Sequence, residues 1–243
     1  MNYNPATEVE RFLEGQLLLI DKPLGWTSFD AVKSVRFTIR KKFGLRKLKV
    51  GHAGTLDPLA TGLLVICTGK FTKKISDLSQ EHKTYTGVIR LGSTTPSYDL
   101  ETEPENEKST DHIKSADVET ALEKFRGPIM QVPPIFSAKK VDGKRAYNAA
   151  RKGEDLVLEP RPVIIHSFEV STDTFPDISF KIECSKGTYI RSIAHDLGQT
   201  LGCGAHLIEL RRTKVGDYAV ENAIDPEDFR KILWGDDEII NDR

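Results

Sequence analysis

Asp57 is the only acid in the stretch Gly51-His52-Ala53-Gly54-Thr55-Leu56-Asp57-Pro58-Leu59-Ala60-Thr61-Gly62, and it stands between two leucines. Three glycines and a proline predict that this stretch forms neither regular helix nor strand. Pro58 restricts Asp57 to an extended conformation, so the carboxylate projects from a stiff turn with apolar anchors on both sides. General acid–base or nucleophilic chemistry needs a carboxylate presented in that way. The residues alone leave a second reading open: Asp57 as the cap of a helix starting at Pro58.

Other chemistries have weaker support. Cys67, Cys184 and Cys203 are odd in number, far apart and set among apolar or glycine neighbours, as expected of reduced buried thiols. The six histidines show no paired spacing, so metal catalysis is not expected. Net charge is −1, but charge is segregated. Lys33, Arg36, Arg40, Lys41, Lys42, Arg46, Lys47 and Lys49 fall in a segment without an acid, and a second basic cluster runs from Lys139 to Lys152. Acids gather at Asp99 to Glu123 and at Asp225 to Asp242. A protein gripping a phosphate-rich ligand on one side would carry charge this way; the alternative for the first cluster is a solvated helix face, but such a face usually mixes signs.

The elements that must position Asp57 follow from the hydrophobic pattern. Gln16 to Ile20 reads as a buried strand ended by a turn at Asp21 to Gly25. Thr27 or Ser28 caps a helix with Phe29, Val32, Val35 and Ile39 inward, and Leu63 to Cys67 reads as a central strand. Lys70 to Gln80 is expected to be a short helix and Lys83 to Gly92 a strand. Ser93 to Asp111 has no periodicity and is expected to be an exposed loop. Asp117 to Phe125 is helical, Gln131 to Phe136 irregular, and a short helix is expected at about Arg145 to Lys152. Val163 to Val170 and Ile178 to Cys184 alternate as paired strands. Thr188 to Leu201 is helical, and Leu207 to Arg212 forms a further strand. Strands and helices mix without strict alternation, which predicts an α+β fold with a mixed, largely antiparallel sheet flanked by helices. No apolar run is long enough to span a bilayer, and Met1 to Glu14 is not a secretory signal, so a soluble cytoplasmic protein is expected.

The Asp57 stretch closely resembles the catalytic motif of the TruB family, the bacterial tRNA pseudouridine-55 synthases. The resemblance extends to Leu18-Leu19-Ile20-Asp21-Lys22-Pro23-Leu24-Gly25-Trp26-Thr27-Ser28, Lys83-Thr84-Tyr85, Cys184 to Ser192, and Gly202 to Leu207 leading to Leu210-Arg211-Arg212. It covers the chain from about Gly15 to Val220. It implies an isomerase that converts a uridine in the T-loop of tRNA to pseudouridine by flipping the base, breaking its bond to ribose and rejoining it through carbon, without cofactor or metal. Asp57 would be the essential carboxylate, Arg191 its ion-pair partner, Tyr85 and Tyr189 the rings around the uracil, and Leu210 the apolar wall. His52 would fill the vacated stack, while Lys22 and Lys73 would brace the site or meet phosphate. The resemblance also implies an RNA-contacting thumb at about 131–158, and a monomer with the tRNA T-stem-loop, but no obligatory protein, as its partner. Thr94-Thr95-Pro96 departs from the family pattern, with a proline where an aspartate is expected. Many family members carry a C-terminal PUA domain. Only the acidic Glu221 to Arg243 follows Val220 here, so a single catalytic domain over 1–243 with a short acidic tail at 221–243 is expected.

Two rivals belong to other classes. An RNA chaperone would use the same basic clusters and stacking rings but would have no need of an acid at Asp57. A glycoside hydrolase normally sets two carboxylates across a cleft, and no partner for Asp57 stands within the matched motifs.

Overall fold

A computed structural model describes residues 5–136, 140–141, 144–145 and 158–235. They divide into two compact units, Met1–Lys83 with Arg211–Arg243, and Thr84–Leu210. The strand Ala205–Val215 contributes to both, passing from one to the other at Leu210 and Arg211.

In the first unit, helix α1 (Pro5–Glu14) leads into strand β1 (Leu17–Lys22), helix α2 (Ser28–Lys42), and strands β2 (Val50–His52) and β3 (Ala60–Thr68). A 3-10 turn (Gly69–Lys74) and the single-turn helix α3 (Ile75–Leu78) follow β3. The expected helix from Lys70 to Gln80 is therefore split and shorter. β3 pairs antiparallel with β1, Leu17 opposite Cys67 through Lys22 opposite Gly62, and with β2, Val50 opposite Thr68 through His52 opposite Ile66. β3 is covered on both faces, which explains its unbroken apolar run. Leu64 and Ile66 join Phe12, Ile20, Val32, Val35 and Ile39 in one core cluster. Leu63 and Val65 pack with Ala53, Val215 and Val220 in another.

Helix α2 begins with a capping box: Thr27 accepts from the Asp30 N–H, and the Asp30 carboxylate accepts from the Thr27 N–H. Its buried face is Ser28, Ala31, Val32, Val35, Thr38 and Ile39. Phe29, expected inside, is 56% exposed and lies under the Lys33 ammonium at 4.9 Å. The segment expected to be a short acidic tail contains a capped helix at its near end, Pro226–Trp234. It buries Phe229, Leu233 and Trp234 in the α2 core, and the Trp234 indole donates to the Thr38 carbonyl at 2.9 Å.

In the second unit, strand β4 (Lys83–Leu91, from Thr84 on) is followed by helix α4 (Ser115–Leu122) and strand β5 (Gly127–Gln131). A two-residue pair, β6 (Lys140–Val141) with β7 (Lys144–Arg145), precedes the long strands β8 (Arg161–Thr174) and β9 (Asp177–Cys184), helix α5 (Ile190–Thr200) and β10 (Ala205–Val215). Here the strand order is β10, β4, β9, β8, β5, with β8 antiparallel to both β5 and β9. Back in the first unit, β11 (Tyr218–Ala219) pairs antiparallel with the end of β10, and α6 (Pro226–Trp234) closes the described chain. The mixed, largely antiparallel sheet flanked by helices is the α+β architecture the pattern predicts.

Three further expectations change. Gly127–Gln131 forms β5, which the pattern missed because Gly127 and Pro128 read as breakers. Arg145 lies in a strand rather than at the start of a helix, and the rest of the helix expected up to Lys152, like most of the thumb, lies outside the described residues. The segment after β4 is not a uniformly exposed loop. Ser93, Thr95, Ser97 and Asp99 are buried, and exposure dominates only from Leu100 onward.

Candidate active site

Asp57 opens a turn and caps no helix. Its carbonyl accepts from the Ala60 N–H at 3.1 Å, and β3 begins at Ala60. Only Ala53 to Leu59 lacks regular structure; the ends of the glycine-rich stretch belong to β2 and β3. The turn is clamped from the start of α2. Ser28 donates its hydroxyl proton to the Leu56 carbonyl at 3.1 Å and accepts the Leu56 N–H at 2.8 Å. The Gly25 N–H donates to the Pro58 carbonyl at 2.9 Å. Leu56 is 3% exposed, so the apolar anchor expected next to the acid is present, and Asp57 itself is half-buried.

Beneath the turn lies Lys22. The sequence placed it in a turn, but it is the last residue of β1 and is completely buried. Its ammonium donates to the carbonyls of Pro23 (2.9 Å), Trp26 (2.6 Å) and Pro58 (3.4 Å). Burial lowers its pKa to about 8; the negative charge of Asp57 opposes that fall, and the Arg212 guanidinium adds to it. At neutral pH Lys22 is therefore mostly charged.

Arg212 escaped the sequence reading as a site residue. It is 1% exposed, and it donates from Nε to the Leu63 carbonyl at 2.8 Å and from Nη2 to the Gly54 carbonyl at 3.1 Å. One guanidinium therefore ties β3 to the glycine loop before Asp57. Its neighbour Arg211 forms a bidentate pair with Asp21, at 2.6 and 3.0 Å. The Leu210-Arg211-Arg212 motif was the available signal. His52, in β2, is half-buried, with its Nδ1 buried and without a hydrogen bond; burial and then Arg212 push its pKa down, so the ring is neutral at pH 7. Lys73 is exposed and lines a separate cleft of about 670 Å³ with Arg36, Arg40, Arg46, Lys47, Lys49 and Lys70. The first basic cluster is therefore concave.

The second unit holds the remaining expected residues. Tyr85 is buried in β4, and Tyr189 and Leu210 are half-buried. Tyr189 caps α5, and the Gln131 side-chain amide fixes its backbone, accepting its N–H at 2.8 Å and donating to its carbonyl at 3.0 Å. Arg191, in the first turn of α5, is 3% exposed. It donates to the carbonyls of Ser97 (3.0 Å) and Phe136 (2.9 Å), and its Nε lies 3.6 Å from the Asp99 carboxylate. A guanidinium so held is preorganised, and the buried start of the segment after β4 supplies its acid.

The profile of the TruB family pseudouridylate synthase N-terminal domain matches residues 40–190, and that of the tRNA pseudouridylate synthase B C-terminal domain matches residues 191–242. The chain belongs to the TruB family of pseudouridine synthases. Among its relatives, tRNA pseudouridine synthase B of Flavobacterium johnsoniae is 55% identical over 92% of this chain and 98% of its own. That of Phocaeicola vulgatus is 50% identical over 95% and 99%. Among solved structures, a chain in the Cbf5-Nop10-Gar1 complex aligns with a TM-score of 0.69 at 27% identity, covering 95% of this chain and 58% of that one. A chain in the H/ACA RNP bound to a substrate RNA containing 2'-deoxyuridine aligns at 0.67 and 25%, covering 97% and 58%. This TruB-family chain spans less than two thirds of those two structural relatives. Within this TruB-family enzyme, the first unit brings Asp57, Lys22, His52 and Arg212 to one loop, and the second anchors Arg191 and Tyr189 at the start of α5.

Proposed function

We propose that this pseudouridine synthase isomerises the T-loop uridine of tRNA, with Asp57 as the essential carboxylate and no cofactor. The clamped turn carries this reading: a half-buried carboxylate whose neighbour Leu56 is bonded through both backbone groups to Ser28. That amount of framework is unnecessary for a loop acid in solvent, whereas catalysis requires the carboxylate to be oriented before substrate arrives. Tyr85 and Tyr189 would stack on the extruded uracil, Leu210 would close its apolar side, and Arg191 would pair with the Asp57 carboxylate. His52 would occupy the stack left by the base, a role that suits a neutral ring. Lys22 acts through Asp57 as a positioning residue.

The concave basic surface around Lys73 supports a grip on the phosphates of a folded RNA. The chain would work as one catalytic domain and as a monomer on the T-stem-loop. Among the described residues no helix is long and apolar enough to cross a membrane. We place the reaction in the cytoplasm, where tRNA is made and modified.

Single-turnover conversion of uridine in a T-stem-loop RNA, with binding of the same RNA measured in parallel, tests the proposal. Wild type should form pseudouridine, and Asp57→Asn should bind the RNA but form none. Binding by both proteins with product from neither would favour the chaperone reading and overturn this one.

A further inference from the structure

The motif Gly202-Cys203-Gly204-Ala205-His206-Leu207 supplies no residue to the site described above. It leads into β10, between α5, which carries Arg191, and the segment after β4, which holds that guanidinium. Backbone contacts fix both flanks. The Gly204 N–H donates to the Gly198 carbonyl of α5 at 3.0 Å, and a Cβ built on Gly198 would lie 2.1 Å from the Ala205 nitrogen. On the segment's side, the Gly92 N–H donates to the Gly204 carbonyl at 3.0 Å and the Leu207 N–H to the Tyr98 carbonyl at 2.9 Å. Asp99 and Leu207 form a parallel bridge.

His206 adds a side chain to this frame. It is 1% exposed, and its Nδ1 lies 3.2 Å from the Ser93 carbonyl oxygen and 3.4 Å from the Ser93 hydroxyl. Burial, helped by Arg90, pulls its pKa below the ordinary imidazole value against the Ser93 carbonyl, Asp177 and Asp99. The ring is therefore neutral at pH 7 and carries one proton. A carbonyl oxygen only accepts, so that proton is on Nδ1. Nε2 is then a bare lone pair, and it is buried without a hydrogen bond. A residue needed only to fill this space would be apolar and would leave no polar atom unpaired. The imidazole is explained by the bond it makes.

That bond reaches Arg191 by a short path. Ser93 opens the buried positions Ser93, Thr95, Ser97 and Asp99. Along the same run, the Ser97 carbonyl accepts from Nη1 of Arg191 at 3.0 Å, and the Asp99 carboxylate lies 3.6 Å from its Nε. His206 pins the start of the run and Leu207 its end, and both of these partners of Arg191 lie on it.

We propose that His206 is a positioning residue of this synthase: its Nδ1–H bond to Ser93 sets the run from Ser93 to Asp99, and that run aims the Arg191 guanidinium. This deepens the reading in which Arg191 pairs with Asp57, and rests on it.

Two substitutions separate alignment from packing. Asparagine carries an amide N–H close to the place of Nδ1 but leaves empty space. Glutamine fills more of that space and carries its amide near the place of Nε2, away from Ser93. A packing role predicts that His206→Gln is the better tolerated, and a positioning role predicts the reverse. The test measures hydrogen exchange of the Arg191 Nε–H by NMR in the free protein, and single-turnover pseudouridine formation at saturating T-stem-loop RNA. Exchange should be about tenfold faster than wild type in His206→Gln and within about threefold of it in His206→Asn. Conversion should fall in the same order with RNA affinity unchanged. Long-range proton–nitrogen spectra of the wild type should show the Nδ1–H tautomer of His206, a result independent of whether either variant folds. The opposite tautomer would overturn the proposal. So would exchange in His206→Asn as fast as in His206→Gln, or wild-type conversion rates in His206→Gln. Wild type that makes no pseudouridine, with exchange in the expected order, would overturn the synthase reading alone.

Discussion

Ser28 and Leu56 are joined by a reciprocal pair of hydrogen bonds, the Ser28 hydroxyl accepting one backbone group of Leu56 and donating to the other. The contact spans the start of α2 and the residue before Asp57, so a hydroxyl on a helix holds the backbone of the Asp57 turn. Ser28→Ala strands a buried N–H and a buried carbonyl. It should lower stability by about 2 kcal/mol. On the role proposed for Asp57, single-turnover conversion should fall tenfold or more with RNA affinity unchanged, because a misplaced carboxylate would harm the transition state rather than binding. Conversion at the wild-type rate would show that the turn holds its shape without the clamp.

Lys22 predicts a pH dependence. Its folded pKa, about 8, lies below the unfolded lysine value, so the unfolded chain binds more protons between those two values. The destabilisation from burying its charge is fully present below about pH 8 and is relieved as pH rises from there towards the ordinary lysine range. Urea midpoints of wild type and Lys22→Met measured from pH 7 to 10 should show their difference moving in favour of wild type across that window. A constant difference would mean that Lys22 titrates as an exposed lysine does.

The basic cleft makes a prediction about salt. Binding of the T-stem-loop should weaken steeply with ionic strength, and Arg40→Glu with Lys73→Glu should flatten the logarithmic salt slope by about 1 for each phosphate that the protein no longer neutralises. Single-turnover conversion at saturating RNA should be unchanged. A flat salt response in wild type would remove the cleft from the binding surface.

Arg191 and Asp99 form a pair buried on both sides, 4% and 8% exposed. Asp99→Asn leaves a buried guanidinium without that carboxylate, and should destabilise the protein by about 3 kcal/mol by thermal or urea unfolding. Arg191→Lys should also fail, since an ammonium cannot span the Ser97 and Phe136 carbonyls as a planar fork does. Near-wild-type stability of Asp99→Asn would show that the two carbonyls suffice.

Gly62 has φ +100°, and a Cβ built on it would lie 2.3 Å from the Arg212 carbonyl oxygen. Backbone meets backbone there, so no side chain can yield. Gly62→Ala should cost more than about 2 kcal/mol in unfolding experiments, whereas Gly25→Ala, with open space at its Cβ, should bear mainly the cost of its φ of +82°.

The sequence by itself determined the local elements and the candidate carboxylate. The branched apolar run at Leu63 to Cys67 permits a buried strand, Thr27 with Asp30 sets a helix start, and the leucine-flanked Asp57 before a proline reads as a held acid; each is fixed by residues a few positions apart. Burial, by contrast, depends on residues far apart in the chain, and only the tertiary structure decided it. Lys22 reads as a turn lysine until Pro58 and Trp26 surround it, and Ser28 reads as a cap until Leu56 is brought against it. Ser93 to Asp99 reads as loop until Arg191 bonds Ser97 and lies beside Asp99. Phe29 fits the helical stripe, yet the face that packs is the one presented to Ile20, Leu64 and Trp234. Periodicity shows that a side chain has apolar neighbours on its own helix or strand, but only long-range packing brings up the carbonyl, charge or ring that gives a polar residue its role.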